Sequence, residues 1–541
     1  MIDLGGFSMS TGTMTTMVII FIIYSLVIVG LGAYVKLQSK KVASDNLASF
    51  LTGGGGLSAF AIAMIAATNS MAGGTMVTAP GLTYAKGFSG GIIYYAGFLT
   101  AAFGLGAVGL KAAILKQRIG AVSFLDLFRL RFRSKAVVSA LSITCVVGLL
   151  FTTCAQITAG AKMFAAITGS NQYYLGLLLV IIITVVYTAT GGVKSMAKVA
   201  AIQGVVMLIA TFSIMGILLI DNAKTYGSLS AAVEYMGTTY PEMMRADSVF
   251  TFMNTLGTVL FCGIGLGAMP FAVSVSMTYD NHKVLKRGIM ISCIIFTICQ
   301  GLMCATGPWA HNLNPDLVTR DLTTFYVATN LLPSPVAGII FCGVFAAIQS
   351  SLAGYCMSAA AFFAKDFFID CVKPDMPEKK QKTFSSVTIL VFAALATLLA
   401  LKPTDLTQFM INFALGALAS AWYWPVLCGL YWKKATWKGT FWSCVGGFFA
   451  YMFFYIISSV IPATKEWWIV NTNNTHAFVF SWIISLILMI VVSLATQKDK
   501  VPWAISRCSS VTTTTTSTPR TSASAAKRAS KLLQKGICRY G

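Results

Sequence analysis

The chain has 541 residues, of which 56% are hydrophobic and only 10% are charged. This balance excludes an ordinary soluble domain. It predicts an all-α polytopic membrane protein, because the apolar segments are continuous runs of about 20 residues. The formal net charge of +22 could indicate nucleic-acid binding. However, the basic residues are concentrated in alternate loops, so we predict no nucleic-acid partner and attribute the charge to membrane topology.

Thirteen apolar segments are predicted as membrane spans. Their bounds are roughly 14–35, 57–84, 91–115, 136–165, 173–190, 199–220, 250–278, 288–306, 334–363, 384–401, 407–430, 439–461 and 477–495. We predict that the first segment is a retained helix, because nothing basic precedes it and no small-residue cleavage site follows it.

Basic residues follow every second predicted span. Such loops stay on the cytoplasmic side of a membrane, so we predict an outer N-terminus, an inner C-terminus and a multi-pass protein of the cell membrane. The chain then divides into a short outer N-terminus (1–13), a transmembrane domain (14–500) and a basic, Ser/Thr-rich tail (501–541) that is predicted to be disordered. The basic loops begin near Lys36, Arg129, Lys194, Lys283, Lys373 and Lys433.

Two of the spans contain residues that interrupt a helix. The second contains Asn69, paired glycines at Gly73–Gly74 and Pro80, and the seventh contains several glycines before Pro270. A pair of Gly/Pro-interrupted spans in corresponding positions is typical of secondary transporters with inverted repeats, whose broken helices expose backbone groups to ligands. We therefore predict one core repeat at about 57–220 and a second at about 250–430.

Adjacent hydroxyls at Ser350 and Ser351 lie deep in the ninth span. Each hydroxyl could donate a hydrogen bond to the backbone carbonyl one turn earlier or to a polar group on a neighbouring helix. The pair could also converge with the Ala347 carbonyl as hard oxygen ligands, which suit a small hard cation. The break in the second span would then complete the oxygen cage with the Thr68 and Met71 carbonyls.

The sequence gives no support for an enzyme. The carboxylates fall in loops or at the ends of predicted spans, which argues against a proton relay inside the membrane. No HExxH motif, phosphate loop or intramembrane Ser/His or Ser/Lys dyad is found. We predict a non-enzymatic protein without a cofactor, apart from a coupling ion.

Several short motifs occur in a characteristic order and spacing. Together they resemble the sodium:solute symporter family, and within it the sodium/pantothenate permeases, over about residues 10–495. The motifs are Leu57–Met64, Pro80–Tyr84, Thr188–Lys194 with Gln203-Gly204, Ala346–Ser351 with Lys365-Asp366, Trp424-Pro425 and Gly429–Trp432 with Ala435 and Gly439.

The resemblance implies a leucine-transporter-like five-plus-five inverted repeat, with one helix before it and two after. It also implies that Thr68, Met71, Ala347, Ser350 and Ser351 bind sodium. One departure concerns the sixth span, where family members commonly carry an Asp three residues before the Gln. This chain has Ala200 there, so we expect one coupling ion.

The implied function is sodium-coupled import of a small organic anion, pantothenate or a related carboxylate, by alternating access. A symporter of proline or another amino acid is the alternative. A channel would require a ring of pore-lining polar groups, and a sensor would normally carry a signalling domain. The expected partners are therefore sodium, a small substrate and the lipid bilayer, and the oligomeric state is left open. The predicted substrate residues are Asn69, Ser70, Thr75, Gln156, Gly263, Gly265 and Gly267, with an interhelical hydrogen bond as an equal alternative for Gln156.

Overall fold

The structure is a computed structural model that describes residues 10–40, 47–53, 58–168, 172–245, 251–278, 282–317, 319–401 and 407–501. All of the regular secondary structure in these ranges is helical. The predicted tail and most of the predicted outer N-terminus lie outside the described residues.

The α-helices are α1 (Thr11–Lys40), α2 (Leu47–Thr52), α3 (Ala59–Ser70), α4 (Ala79–Lys86), α5 (Ile92–Tyr95), α6 (Gly97–Ala101), α7 (Leu110–Ile119), α8 (Phe124–Phe132), α9 (Lys135–Thr168), α10 (Tyr173–Tyr226), α11 (Leu229–Thr239), α12 (Pro241–Met244), α13 (Phe252–Val259), α14 (Pro270–Val275), α15 (His282–Leu313), α16 (Thr323–Asn330), α17 (Ser334–Ala359), α18 (Glu378–Leu399), α19 (Thr407–Tyr431), α20 (Trp437–Tyr455), α21 (Pro462–Thr472) and α22 (Ala477–Ala495). π-Helical segments occupy Gly74–Thr78, Ala102–Gly109, Leu260–Ile264, Ala360–Val372 and Ile456–Val460. Short 3-10 turns lie at Phe88–Gly91, Gly265–Ala268, Ser276–Thr278, Arg320–Leu322 and Gln497–Asp499.

Each of the thirteen predicted spans overlaps helical backbone. Ten helical segments of the described chain are long and apolar enough to cross a membrane, and a bent pair raises the number to eleven. Shorter apolar helices at Ala59–Thr68 and Tyr173–Ala189 coincide with the second and fifth predicted spans. A polytopic helical membrane protein is thus confirmed, while the count of thirteen crossings and the orientation of the termini stay predictions.

At both predicted interruptions the helical conformation of the backbone ends. Helix α3 ends at Ser70, and Met71 has non-helical angles of φ −95° and ψ 76°. Residues Phe252–Ala268 and Pro270–Thr278 meet at a bend of 41°. These breaks free main-chain groups from the helical hydrogen-bond ladder, and such backbone at membrane depth must be buried in protein or line a cavity.

Helix α10 contains the fifth and sixth predicted spans, which are separated by a kink at Gly192. This residue has φ 59° and ψ −155°, a combination that only glycine adopts at low cost. A Cβ atom here would also lie 2.5 Å from the carbonyl oxygen of Phe50. The kink therefore depends on glycine for both its conformation and its packing.

Helix α17 lies at the centre of the bundle. Every residue from Ile340 to Ala359 is buried, and the helix packs against α1, α3, α9 and α10. Small residues allow this close approach; a Cβ atom at Gly343 would lie 2.5 Å from Cβ of Ala210 on α10. The predicted sodium ligands of α17 are consequently held on a tightly packed element.

The helical backbone of α17 continues through the π-helical segment to Val372, beyond the predicted end at residue 363. Lys365 and Asp366 therefore lie within a continuous helix, and both are buried. The Lys365 ammonium forms ion pairs with Asp366 and with Asp126 on α8, and this pairing makes the buried charges tolerable. Helix α8 begins with a capping box formed by Ser123 and Asp126.

Candidate functional site

Four of the predicted sodium ligands meet at the break after α3. The Ser350 hydroxyl lies 3.2 Å from the Thr68 carbonyl oxygen and 3.0 Å from that of Ala347. The Ser351 hydroxyl lies 3.1 Å from the Thr68 oxygen and 3.0 Å from the Ala347 oxygen. Two hydroxyls and two carbonyls, contributed by two helices, thus form one compact cluster of oxygen atoms.

The dimensions of this cluster fit a small hard cation after slight expansion. A hard cation such as Ca²⁺ takes oxygen ligands at about 2.3–2.6 Å, so ligands at right angles would be about 3.3–3.7 Å apart. The separations of 3.0–3.2 Å between the serine hydroxyls and the carbonyls are only a few tenths of an ångström shorter. The two hydroxyls donate to the two carbonyls, so all four buried groups have hydrogen-bond partners.

The fifth predicted ligand, Met71, follows directly on the last residue of α3. Its N–H donates to the Ala67 carbonyl at 2.8 Å, but its own ψ of 76° turns its carbonyl away from the helical direction. Met71 is completely buried. Asn69 and Ser70 belong to the last turn of α3, and the placement of their side chains lies outside what the structure describes.

Gln156 on α9 contacts the same break. Its Oε1 accepts a hydrogen bond of 3.0 Å from the Gly73 N–H, a donor that the interrupted helix leaves without an intrahelical partner. The interhelical alternative for this side chain is therefore present in the structure. Its role as a substrate contact stays a prediction. The hydrogen bond to Gly73 places its amide beside the break.

Thr75 is buried in the π-helical segment between α3 and α4. Its hydroxyl lies 3.5 Å from Nε2 of Gln300 on α15. Sequence reasoning missed Gln300, although a glutamine inside an apolar run is a signal for a polar role at membrane depth. Gln300 connects the predicted substrate residue Thr75 to the second repeat.

The three glycines predicted for the second break make close helix contacts. A Cβ atom at Gly263 would lie 2.9 Å from Leu99, and one at Gly265 would lie 2.7 Å from the Phe478 ring. Gly267 packs on Phe103 and Gly104 of the third predicted span. Packing alone therefore accounts for small residues at these positions, and their exposure to substrate stays a prediction.

A network of uncharged side chains lies beside the oxygen cluster. The Tyr24 hydroxyl donates to Gln349 Oε1 at 3.1 Å, and Gln203 Nε2 donates to the Tyr24 oxygen at 3.2 Å. The Tyr187 hydroxyl donates to the Gln349 carbonyl at 3.1 Å. Gln203 lies three residues after Ala200 on α10, so this network contributes amide and hydroxyl groups and no carboxylate.

The described chain also brings three carboxylates together at the predicted inner end of α17. Oxygen atoms of Asp126, Asp366 and Asp370 lie within 4.8 Å of one another. Lys365 forms ion pairs with all three carboxylates. Its ammonium group therefore occupies the position that a metal ion would take among them. Burial alone would raise the pKa of Asp126, but Lys365 and Arg129 lower it to about 2.

The comparison with protein families matches residues 50–447 to the sodium:solute symporter family. The chain is 28% identical over 428 residues to the sodium/pantothenate symporter of Haemophilus influenzae, and this alignment covers 78% of this chain and 87% of that protein. It is 28% identical over 431 residues to the sodium/pantothenate symporter of Escherichia coli K12, with the same coverage of both chains. It is 26% identical over 491 residues to the sodium/proline symporter of H. influenzae, over 88% of this chain and 94% of that one.

Solved structures show the same fold. A substrate-bound, outward-open Na⁺-coupled sialic acid symporter superposes with a TM-score of 0.71 at 16% identity, covering 90% of this chain and 98% of that chain. A closed nucleobase-cation-symport-1 family transporter superposes with a TM-score of 0.54 at 17% identity, covering 85% and 97%. The matched family and its curated relatives are symporters, which confirms the prediction that the chain is not an enzyme. The chain belongs to the sodium:solute symporter family.

Proposed function

We propose that the protein is a sodium-coupled secondary symporter that imports a small organic anion, pantothenate or a related carboxylate, by alternating access. The family and the sodium-coupled relatives support sodium-driven symport. The similarity to two sodium/pantothenate symporters at 28% identity supports the substrate class. The predicted topology places the N-terminus outside and the C-terminus inside the cell membrane, with uptake directed inward.

The observation that carries this proposal is the oxygen cluster at the first break. The carbonyl of Thr68 belongs to the broken helix α3, whereas Ser350 and Ser351 belong to the buried, continuous helix α17. A cation bound between them would stabilise one arrangement of the two helices. Because a ligand shifts a conformational equilibrium only by its differential affinity for the two states, this position suits a coupling ion.

The second break complements this site. The N-terminal end of a half-helix carries partial positive charge and unpaired N–H groups, which favour an anionic ligand. Helix α14 begins with Pro270 immediately after the bend. Together with the Gln156 and Thr75 region of the first break, it would bind the carboxylate of the substrate.

A symporter of proline is the second candidate function, because the similarity to a sodium/proline symporter extends over 88% of this chain. Both candidates use the same fold and the same coupling ion. They differ in the net charge of the substrate, since pantothenate is an anion and proline is a zwitterion.

Uptake by purified protein in proteoliposomes tests the proposal. We expect radiolabelled pantothenate to accumulate under an inward sodium gradient and not under an equal potassium gradient. Radiolabelled proline, assayed in the same vesicles, should not accumulate. Uptake that is independent of sodium, or uptake of proline without pantothenate, would contradict the proposed function.

A further inference from the structure

Helix α1 precedes residues 50–447, the part of the chain that matches the family, and it packs along α17. The Thr13 hydroxyl lies 2.9 Å from the Ser334 hydroxyl near the start of both helices. Further along both helices, the Phe21 ring meets the Phe345 ring edge-on, with 4.7 Å between the ring centroids. The two helices therefore run parallel, and these contacts fix the register of α1 against the helix that carries the two serines of the oxygen cluster.

Tyr24, one turn beyond Phe21 on α1, holds the residue that directly precedes the first of these serines. The Tyr24 hydroxyl donates to Oε1 of Gln349 at 3.1 Å, and Tyr24 is buried. From α10, the Tyr187 hydroxyl donates to the backbone carbonyl of Gln349 at 3.1 Å. Both the side chain and the main chain of Gln349 are thus held by tyrosine hydroxyls, immediately before Ser350 in the sequence.

The Tyr24 hydroxyl makes the shortest hydrogen bond to the Gln349 amide. Nε2 of Gln349 is buried and has no hydrogen-bond partner within the described residues. Oε1 of Gln349 has one further donor, Nε2 of Gln203, at the long distance of 3.4 Å. Loss of the Tyr24 hydroxyl would therefore leave the Gln349 amide with a single weak hydrogen bond.

The position of Gln349 is tied to the positions of the serine hydroxyls, because Gln349, Ser350 and Ser351 are consecutive residues of one continuous helix. A rotation of this helix by about 10° displaces a Cα atom, which lies about 2.3 Å from the helix axis, by about 0.4 Å. The spacing of the oxygen cluster and the spacing that a bound cation requires also differ by only a few tenths of an ångström. A small rotation of α17 is therefore large enough to change how well the hydroxyls fit the ion.

We propose that Tyr24 is a positioning residue for the sodium site: its hydroxyl holds Gln349, and through Gln349 it holds Ser350 and Ser351 at the cation. The inference rests on the sodium coupling of the proposed function and not on the identity of the substrate. Tyr24 touches neither the ion nor the predicted substrate residues. Its loss should therefore weaken sodium binding and leave substrate binding at saturating sodium unchanged.

The experiment measures sodium binding to the purified full-length protein in detergent, without substrate. Sodium chloride replaces potassium chloride at constant total salt, and the rise in the midpoint of thermal unfolding gives an apparent sodium dissociation constant. Tyr24→Phe removes the hydroxyl and keeps the ring, and we expect it to raise this constant about fivefold. Tyr187→Phe removes the second hydroxyl on Gln349 and should raise the constant as well. In proteoliposomes, the KM of Tyr24→Phe for pantothenate at saturating sodium should equal that of the wild type.

Tyr173→Phe is the matched control. Tyr173 is also buried, and its hydroxyl donates to the Ala400 carbonyl at 2.7 Å, just past the end of α18. This variant loses a comparable hydrogen bond, so it should lower the unfolding midpoint without changing the sodium dissociation constant.

A lower unfolding midpoint in Tyr24→Phe with an unchanged sodium dissociation constant would mean that the hydroxyl serves only stability, and it would overturn the inference. An equal rise of the constant in Tyr173→Phe would overturn it as well. If the wild-type protein is stabilised by sodium but takes up no pantothenate, the proposed substrate fails, and a raised constant in Tyr24→Phe alone of the two still supports the inference. If sodium does not stabilise the wild-type protein more than potassium does, the inference fails together with the proposed coupling ion.

Discussion

Lys365 on the inner extension of α17 forms a buried ion pair with Asp126 on α8. Their side chains are only 7% and 6% exposed. Asp126 also accepts hydrogen bonds from the N–H groups of Val122 and Ser123 at 2.9 and 3.0 Å. This ion pair links the loop between the third and fourth predicted spans to α17, the helix that carries Ser350 and Ser351.

Lys365→Met should strongly destabilise the protein. The change leaves the carboxylates of Asp126 and Asp366 buried without their shared cation, and breaking a buried ion pair in this way costs about 3–5 kcal/mol. The midpoint of thermal unfolding in detergent measures the effect. Lys373→Met, which removes an exposed lysine just past the same helix, is the control, and an equal loss in both variants would contradict the prediction.

The double substitution Ser350→Ala/Ser351→Ala should reduce sodium-dependent uptake by well over tenfold. It removes two of the proposed cation ligands without adding bulk, and a loss of about 1.4 kcal/mol already gives a factor of ten in affinity. Ser358→Ala is the matched control, because Ser358 is also buried in α17 but donates to Gly354 within its own helix at 2.8 Å. Unchanged sodium dependence in the double variant would mean that the hydroxyls serve only in packing.

The sequence was sufficient to predict this oxygen cluster because its signals are local. Adjacent serines in an apolar helix and a Gly/Pro-interrupted span are each visible within a few residues, and the repeat pattern indicates that they meet. The break after Ser70 and the bend before Pro270 lie where the glycines and prolines of the two spans predict an interruption. The resemblance to the sodium:solute symporter family, which the family comparison confirms, rests on the same segments.

The charge cluster and the Gln300 contact could not be predicted in this way. Asp126 and Lys365 are separated by 239 positions, and α8 is a short connecting helix without a membrane-span pattern. Thr75 and Gln300 are separated by 225 positions, and no periodicity relates them. Such pairs follow from the tertiary arrangement of the helices, which hydrophobic patterns alone leave open.

Acidification should weaken the contact between the start of α22 and the π-helical segment Leu260–Ile264. His476 Nδ1 accepts the Phe478 N–H at 3.3 Å, and its ring stacks on Phe261 at 4.8 Å. Burial lowers the pKa of His476 from 6.5 to about 4. The unfolded chain therefore binds a proton that the folded chain does not, so stability is complete above pH 6.5 and falls between pH 6.5 and 4.

The loss from His476 amounts to about 2 kcal/mol at pH 5, since each unit of pKa difference corresponds to about 1.4 kcal/mol. Thermal unfolding of the wild type and of His476→Asn, compared at pH 7.5 and pH 5, measures it. Asparagine can cap the helix but does not titrate. The unfolding midpoint of the variant should therefore depend less on pH, and an identical dependence would contradict the assignment.

Uptake should depend on the sodium concentration with a Hill coefficient near 1. Ala200 is buried, with 1% exposure, and as an alanine it offers no side-chain oxygen to a second cation. Initial rates measured over a range of sodium concentrations at saturating substrate test this expectation. A clearly sigmoidal response would show a second sodium site.

Membrane voltage should separate the two candidate substrates. One sodium ion and one monovalent anion such as pantothenate cross together without net charge, so an imposed potential contributes nothing to the driving force. Proline with one sodium ion moves one positive charge, which gains about 2.3 kcal/mol from 100 mV. A valinomycin-imposed, inside-negative potassium potential should therefore leave the initial rate of sodium-driven pantothenate uptake unchanged. Strong stimulation by the potential at one-to-one coupling would contradict the monovalent-anion proposal and favour the amino-acid symporter.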